Sequence, residues 1–474
     1  MAIFYNEGEV KTRPGLYQRY SNIGFDSLAG AQDGICAIPV KASWGPLGKV
    51  VKNTVASALE KNYGSGEYGT AYTVPVAKAM FDGGASTVFT YRLGTGGQKG
   101  ALELDENITV TAKYPGAMPL SVAVQTKLGD AATKQFIVYA GTKQVETFEF
   151  AADGKAEGNN LIKATAKSKY VDITETTAVP TVSTLAAASG ALTGGANPTV
   201  TNADYSAAFA AFEQYYYNTI ALDVDDDEDM TLSLLLQSYL DNAYKMGKLG
   251  IAVVGEKASV DFEDRCAHAK AFNDEKVVFL GGGYMVGTEN RDGVMAIAYT
   301  AGVIAATPSN QGITHTVITG ATDVLEALTY DQYVEAIKSG MLMVSMSPDG
   351  KIWYDSGINT LTVPEGETQD EGWKKIRRVK VRFELFDRLD RTLMPKVGKV
   401  SCDPDGIADV IQAAQRVLDS MANNEGKLFP GAVIAEDPSN PAEGDSAWFI
   451  IQTDDIDSLE KIYLHYQFRY SQNS

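Results

Sequence analysis

Histidine is almost missing from this chain: His268, His315 and His465 are the three present in 474 residues. None has a second histidine at metal-ligand spacing, and no Gly-x-Ser-x-Gly elbow marks a nucleophile. Cysteine is as scarce. Cys36, Cys266 and Cys402 are odd in number and far apart. They form neither a disulfide framework nor a zinc pattern, which suits a reducing cytosol. Positive charge is in deficit, with 41 basic against 60 acidic residues and a net charge of −19. That balance argues against general nucleic-acid binding, which is driven by neutralising phosphates. Long hydrophobic runs are missing too, so no bilayer span is expected. The start, Met1 to Glu9, has neither the basic region nor the apolar stretch of a secretion signal.

Two stretches imitate sites without completing them. Asp223 to Asp229 reads Asp-Val-Asp-Asp-Asp-Glu-Asp. Glu228 stands where a calcium loop needs glycine, and Leu234 where it needs a bidentate glutamate. The simpler reading is an acidic lead-in to a helix at Met230, where the dipole favours negative charge. Gly281-Gly282-Gly283 follows a strand, as phosphate loops do. It lacks the Lys-Ser/Thr of a P-loop and the full Gly-x-Gly-x-x-Gly. No cofactor or metal is expected.

What is present is a 45% hydrophobic chain long enough for two to four domains. Residues 1–22 are a polar, aromatic-dotted lead-in with too few apolar residues for a core. From 23 to 96 a buried strand at Gly34 to Val40, a helix at Val74 to Phe81 and a strand at Thr87 to Leu93 begin an α/β domain. Residues 97–195 show short strands, turn signals and no helical period. They read as an inserted antiparallel β-sandwich. From 196 to 363 strands and helices alternate again, with continuous apolar strands such as Gly250 to Gly255. That predicts a mostly parallel sheet covered on both faces. After an acidic linker, residues 373–458 form a C-terminal α+β domain. Its first helix carries Ile376, Val379, Phe383, Phe386, Leu389 and Leu393. Its second opens with Asp403 as N-cap and Pro404 in the first turn.

The final segment, 459–474, contains Lys461 to Tyr470. Ile462, Leu464, Tyr466, Phe468 and Tyr470 alternate with Lys461, Tyr463, His465, Gln467 and Arg469. That is a half-buried strand pattern. Each large apolar side chain would contribute roughly 1.5–3 kcal/mol if buried, as an upper bound. The strand therefore needs a sheet, in its own chain or in a neighbour's. A local charge inversion also stands out. Lys374 to Arg391 holds eight basic residues against three acidic ones, in an acidic chain. It is either a solvated helix face or a contact for an acidic protein.

Several stretches resemble the tail sheath proteins of contractile bacteriophage tails and phage-tail-like bacteriocins. They are Arg13-Pro14-Gly15-Leu16-Tyr17; Gly34 to Val40 with Trp44-Gly45-Pro46; Phe81-Asp82-Gly83-Gly84-Ala85 with Tyr91-Arg92; Leu192-Thr193-Gly194-Gly195; Ala301-Gly302 with Ala305-Ala306-Thr307-Pro308; Gly357-Ile358-Asn359-Thr360; and Glu460 to Leu464 with Phe468-Arg469. The resemblance implies a non-enzymatic structural protein whose α/β core is subtilisin-like in fold. It implies stacked six-fold rings of the chain around an inner tail tube protein, with baseplate and tail terminator proteins at the ends. It implies contraction, and a place in a virion or phage-tail-like particle after assembly in the bacterial cytoplasm. Two arms would link subunits by strand exchange: one at Arg13, Pro14, Gly15 and Tyr17, the other at Ile462, Leu464, Tyr466 and Phe468. Lys374, Lys375, Arg377, Arg378 and Arg382 would face the tube. Neither nucleic-acid binding nor membrane insertion is expected. The competing readings are an α/β hydrolase or nucleotide-binding enzyme with an accessory β domain, and a monomeric binding module.

Overall fold

A computed structural model describes residues 33–469 except 67, 70, 176–181, 227 and 366–368, together with the backbone of Ile3–Phe4 and Tyr17–Gln18. Its centre is a seven-stranded sheet. In chain order the strands are β1 (Ile35–Val40), β2 (Val50–Asn53), β3 (Thr87–Arg92), β4 (Thr219–Ala221), β5 (Ile251–Gly255), β6 (Val277–Leu280) and β7 (Met341–Leu342). Their spatial order is β7-β6-β5-β4-β1-β3-β2. All neighbours are parallel except β2, which pairs antiparallel with β3 at the edge.

Helices cover both faces, which explains why these strands read as unbroken apolar runs. On one face Cys36, Ile38, Val253, Val278 and Leu280 pack under α1 (Val74–Asp82) and α5 (Gly293–Ala306). On the other, Ala37, Ala252, Val254, Val277 and Phe279 pack under α2 (Asn202–Phe212), α3 (Thr231–Lys245) and α4 (Phe262–Phe272). Helices α1 and α5 touch through glycine. A methyl added to Gly302 would lie 2.2 Å from the Met80 carbonyl oxygen and 3.1 Å from the Gly83 Cα.

Between β3 and α2 lie two antiparallel sheets, one of four strands and one of three. They share a core that includes Ile108, Val110 and Val171 from one sheet and Val122, Phe136 and Val138 from the other. A helix, Glu157–Thr165, also packs there, in a region whose sequence shows no helical period. Arg92, at the end of β3, is fully buried beside this insertion. Its Nε donates to the Ala42 carbonyl at 2.8 Å, Nη1 to Gly45 at 2.8 Å and Nη2 to Pro115 at 2.9 Å.

The C-terminal part begins with α6 (Ile376–Leu393), followed by α7 (Pro404–Asp419) and the hairpin β8 (Val433–Glu436) and β9 (Phe449–Gln452). Asp403 caps α7, accepting from the Gly406 N–H at 2.9 Å. Helix α6 lies between two cores. Ile376, Val379 and Phe383 join the sheet and α5, while Val381, Leu385 and Leu389 join α7 and the hairpin. A stripe read as one face is therefore two, and Phe386, placed in it by spacing, is exposed.

The last strand expected from the sequence is not paired. Residues 456–469 carry no helix or strand, and among the described residues no strand pairs with them; Tyr470 lies outside the described residues.

Candidate subunit-interaction site

The basic residues of α6 and the turn before it do not form a bare surface. Each of the eight meets a carboxylate, carbonyl or hydroxyl of the same chain. Lys380, buried, donates to the Ile304 carbonyl at 2.6 Å and to that of Thr307, at the end of α5. Glu384 receives Ser309 and Lys427, the latter at 2.6 Å, and pairs with Arg388. Arg388 also binds Glu425 at 2.6 Å through Nη1. Arg391 pairs with Asp387 at 2.6 Å and lies over the Tyr216 ring. A cavity of about 30 Å³, lined in part by Asp33, Asn218, Ser309, Lys380 and Glu384, sits at this joint. It has room for water.

Within the single chain, four of the five cations expected at a tube contact meet residues near the end of the chain, and Lys374 meets a nearby glutamate. Arg378 grips Asp455 with two hydrogen bonds, Nε at 2.7 Å and Nη2 at 2.6 Å. Arg382 reaches both Asp455 and Asp370 at 3.1 Å, with its guanidinium 4.4 Å from the centre of the Trp373 ring. Lys375 pairs with Glu460, which also accepts from Thr314 Oγ1 at 2.8 Å. Buried Arg377 approaches Ser458 at 3.5 Å. Lys374 pairs with the exposed Glu371 at 2.7 Å. Burial alone would raise the Asp455 carboxyl. The hydrogen bonds from Arg378 and Arg382 outweigh it and hold that carboxyl below the ordinary carboxylate range.

Beyond Glu460 the character changes. Ile462, Leu464 and Tyr466 are each about 70% exposed and Phe468 is 92% exposed. The Tyr466 and Phe468 rings stack with centroids 6.2 Å apart, as neighbours on one face of an extended backbone do. Among the described residues, 461–469 make no hydrogen bond to the body of the chain.

The hairpin is the complementary feature. Ile434, Phe449 and Ile451 face α6 and α7. The opposite face carries the exposed Val433, Trp448 and Ile450. Among the described residues β8 and β9 pair only with each other. A two-stranded ribbon leaves backbone donors and acceptors open along both outer edges, and is usually completed by further strands.

Of the other arm, Arg13, Pro14 and Gly15 lie outside the described residues. The backbone of Tyr17 pairs in parallel with Ile3. The motifs that imitate sites are put to structural use. Asp225 accepts from the Val294 N–H at the start of α5 at 2.8 Å, and Asp226 from the Ser233 N–H in the first turn of α3 at 2.6 Å. A methyl on Gly281 would meet the Met341 sulfur at 2.1 Å, so that glycine serves packing. His268 bonds Glu256 at 3.0 Å, His315 stacks on Trp353, and His465 is exposed. Among the described residues no group of three or more His, Cys, Asp or Glu could hold a metal ion, and no helix is long and apolar enough to cross a membrane. Of the carboxylates that organise this site, Asp455 is not marked by any motif and Glu460 enters only as part of the closing motif, without a role. Their one signal was a short acidic run just before the final alternating segment.

Comparison with known proteins gives one answer. Residues 198–360 match the family model of the phage tail sheath protein central domain. Two proteins of Bacillus subtilis (strain 168) are similar along most of the chain. The uncharacterized protein YqbK is 26% identical over 437 residues, 89% of this chain and 90% of its own. The phage-like element PBSX protein XkdK is 25% identical over 481 residues, 97% of this chain and 98% of its own. A sheath tail protein from Listeria innocua has a similar structure, with a TM-score of 0.70 at 18% identity, over 90% of this chain and 96% of that one. A sheath tail protein from Desulfitobacterium hafniense gives 0.66 at 21% identity, over 93% and 100%. The helical sheath of the anti-feeding prophage in its contracted state gives 0.52 at 12% identity, over 97% and 99%. Residues 198–360 are thus similar to a phage tail sheath central domain, and the mixed α/β fold matches that of sheath tail proteins over nine-tenths of the chain.

Proposed function

We propose that this chain is a structural subunit of a contractile tail sheath in a phage or phage-tail-like particle. Copies polymerise as stacked six-fold rings around an inner tube, between a baseplate and a terminator, after assembly in the bacterial cytoplasm. The observation that carries the reading is the segment 461–469. It has the pattern of a half-buried strand, yet its apolar face stands in solvent. A strand from a second copy would supply the sheet it needs, and the open edges of β8 and β9 offer a place for it. Residues 1–22 form the second arm. The core is subtilisin-like in architecture, the β-sandwich is an insertion in it, and the C-terminal domain faces the tube.

The sheath would contract by passing between two packings of the same subunits, the arms keeping them linked while the domains shift. The driving free energy is then the difference between those packings. Lys374, Lys375, Arg377, Arg378 and Arg382 are the proposed tube contact, with Lys374 the most accessible of the five because its ammonium pairs with an exposed carboxylate.

The test is truncation after Glu460. The shortened chain should remain folded by circular dichroism and gel filtration. Negative-stain electron microscopy should show striated cylinders for the full chain with its tube partner and none for the truncated one. Cylinders from the truncated chain would refute strand exchange.

A further inference from the structure

The strand-exchange reading leaves open where the fixed body ends and the exchangeable arm begins. Sequence patterning puts the start of the arm near residue 459. The structure puts the boundary within one residue, at a cluster of side chains. Residues 454–456 first pair with the loop after α7: the Phe429 N–H donates to Asp454 O at 2.8 Å, and the Ile456 N–H to Lys427 O at 3.0 Å. Asp455 is then gripped by Arg378 and Arg382. Arg382 is itself steadied by stacking on Trp373. Five residues later Glu460 is held from two elements at once, by Lys375 ahead of α6 and by Thr314 in the loop after α5.

We propose that Lys375, Arg378, Arg382 and Thr314 form a clamp on Asp455 and Glu460 that anchors the C-terminal arm in the free subunit and makes the Glu460–Lys461 bond its hinge. The inference rests on the strand-exchange reading for its purpose, but not for its geometry. The charged face of α6, which looks from sequence like a partner site, thus serves the chain's own arm. Three features make the clamp more than a chance surface pair. Asp455 is contacted by two guanidiniums, one of them bidentate. Its side chain is only 8% exposed, so water screens those contacts weakly. Arg378 and Arg382 are half-buried against it, which narrows their freedom to turn outward.

A fixed root has a physical consequence. An arm tethered at Glu460 sweeps a small volume, which raises its effective concentration at the neighbour it is aimed toward. An arm loose from Thr453 onward would sweep a larger one and meet wrong neighbours more often.

The hinge can be located in the free full-length protein. Trypsin has one site just beyond it, Lys461, and one well out on the arm, Arg469. Cleavage requires several residues on either side of the bond to enter the protease, so a clamped Glu460 protects Lys461 and leaves Arg469 open. A synthetic peptide of residues 456–474 sets the unprotected ratio of the two rates. In the protein, Lys461 should be cut at least about tenfold more slowly relative to Arg469 than in the peptide. Glu460→Gln should recover most of that factor, and Lys375→Met should do the same from the other side, without disturbing the near-ultraviolet circular dichroism. Equal ratios in protein and peptide would overturn the clamp. So would protection that survives both substitutions. Neither result depends on polymerisation, so the truncation experiment can fail while the clamp stands, and the reverse.

Discussion

The Lys380 ammonium and the Ile304 carbonyl oxygen lie 2.6 Å apart in a buried contact that joins α6 to the end of α5. Burial drives the lysine pKa down, and Asp33 and Glu384 only partly oppose it, with a result of about 8 against an ordinary 10.5. Cys36 and Lys427 also face the group. Between about pH 8 and 10.5 the unfolded chain therefore binds more protons at this position than the folded one. Stability contributed here must rise with pH across that window and be lowest below it. The measurement is urea unfolding at steps from pH 7 to 10, comparing the protein with Lys380→Met. The difference in midpoint should move in favour of the lysine protein as pH rises. A constant difference would mean that the ammonium is not paying a burial cost.

Arg92 makes a second prediction, because its buried charge faces carbonyls rather than a carboxylate. Substitution by methionine keeps most of the volume and strips the donors from Ala42, Gly45 and Pro115. Leaving buried acceptors unpaired costs about 1–3 kcal/mol for each one that water cannot reach. Arg92→Met should therefore lose at least about 2 kcal/mol in urea unfolding, well beyond the ±0.5 kcal/mol typical of a surface change. Since Pro115 belongs to the insertion and Gly45 to the core, protease sensitivity should rise at the junction between them.

Gly302 tests the contact of α1 with α5. In an open helix, replacing glycine with alanine would gain about 1 kcal/mol. Here the new methyl would sit 2.2 Å from a backbone oxygen, which cannot turn aside as a side chain can. Overpacking of this kind costs about 1–3 kcal/mol, so the net sign should be destabilising. A lower thermal midpoint for Gly302→Ala is expected. An unchanged or higher one would show that α1 can shift away at little cost.

The parts of the fold that could be read from sequence are those whose partners are implied by the pattern itself. Strands β1, β5 and β6 bury alternate residues in two different cores, so their continuous apolarity already requires layers on both sides. The cap at Asp403 is local, three residues from its donor. Distance defeated the rest. The strand Ala188–Ala191 lies in a low-complexity stretch of small residues and exists because Leu120–Lys127 pairs with it. Helix α6 gave a basic face with no visible counter-charge, since Asp455 stands 77 positions from Arg378 and Glu460 stands 85 from Lys375. Phe386 was misplaced because a helix between two cores has two buried faces, while a single period describes one. The final segment alternates like a strand, but among the described residues no strand pairs with it and 461–469 take no regular structure.

Phe468 offers a test of whether an exposed apolar side chain serves assembly rather than folding. It is 92% exposed, whereas Leu418, of similar apolar character, is fully buried between α6, α7 and the hairpin. Leu418→Ala should cost about 2–5 kcal/mol, the usual range for emptying a core position. Phe468→Ser removes nothing that the isolated fold uses, so unfolding of the free protein should change by no more than about 0.5 kcal/mol. In a donated strand the same ring would be buried against a second copy, and its loss would remove roughly 2 kcal/mol of apolar burial at each joint. A sheath repeats that joint at every subunit, so the concentration needed for cylinders should rise steeply in Phe468→Ser while the free protein melts as before. If the free protein were destabilised as strongly as by Leu418→Ala, the segment would be folding back onto its own chain. If cylinders formed at the original concentration, this face of the arm would not be the one buried between subunits.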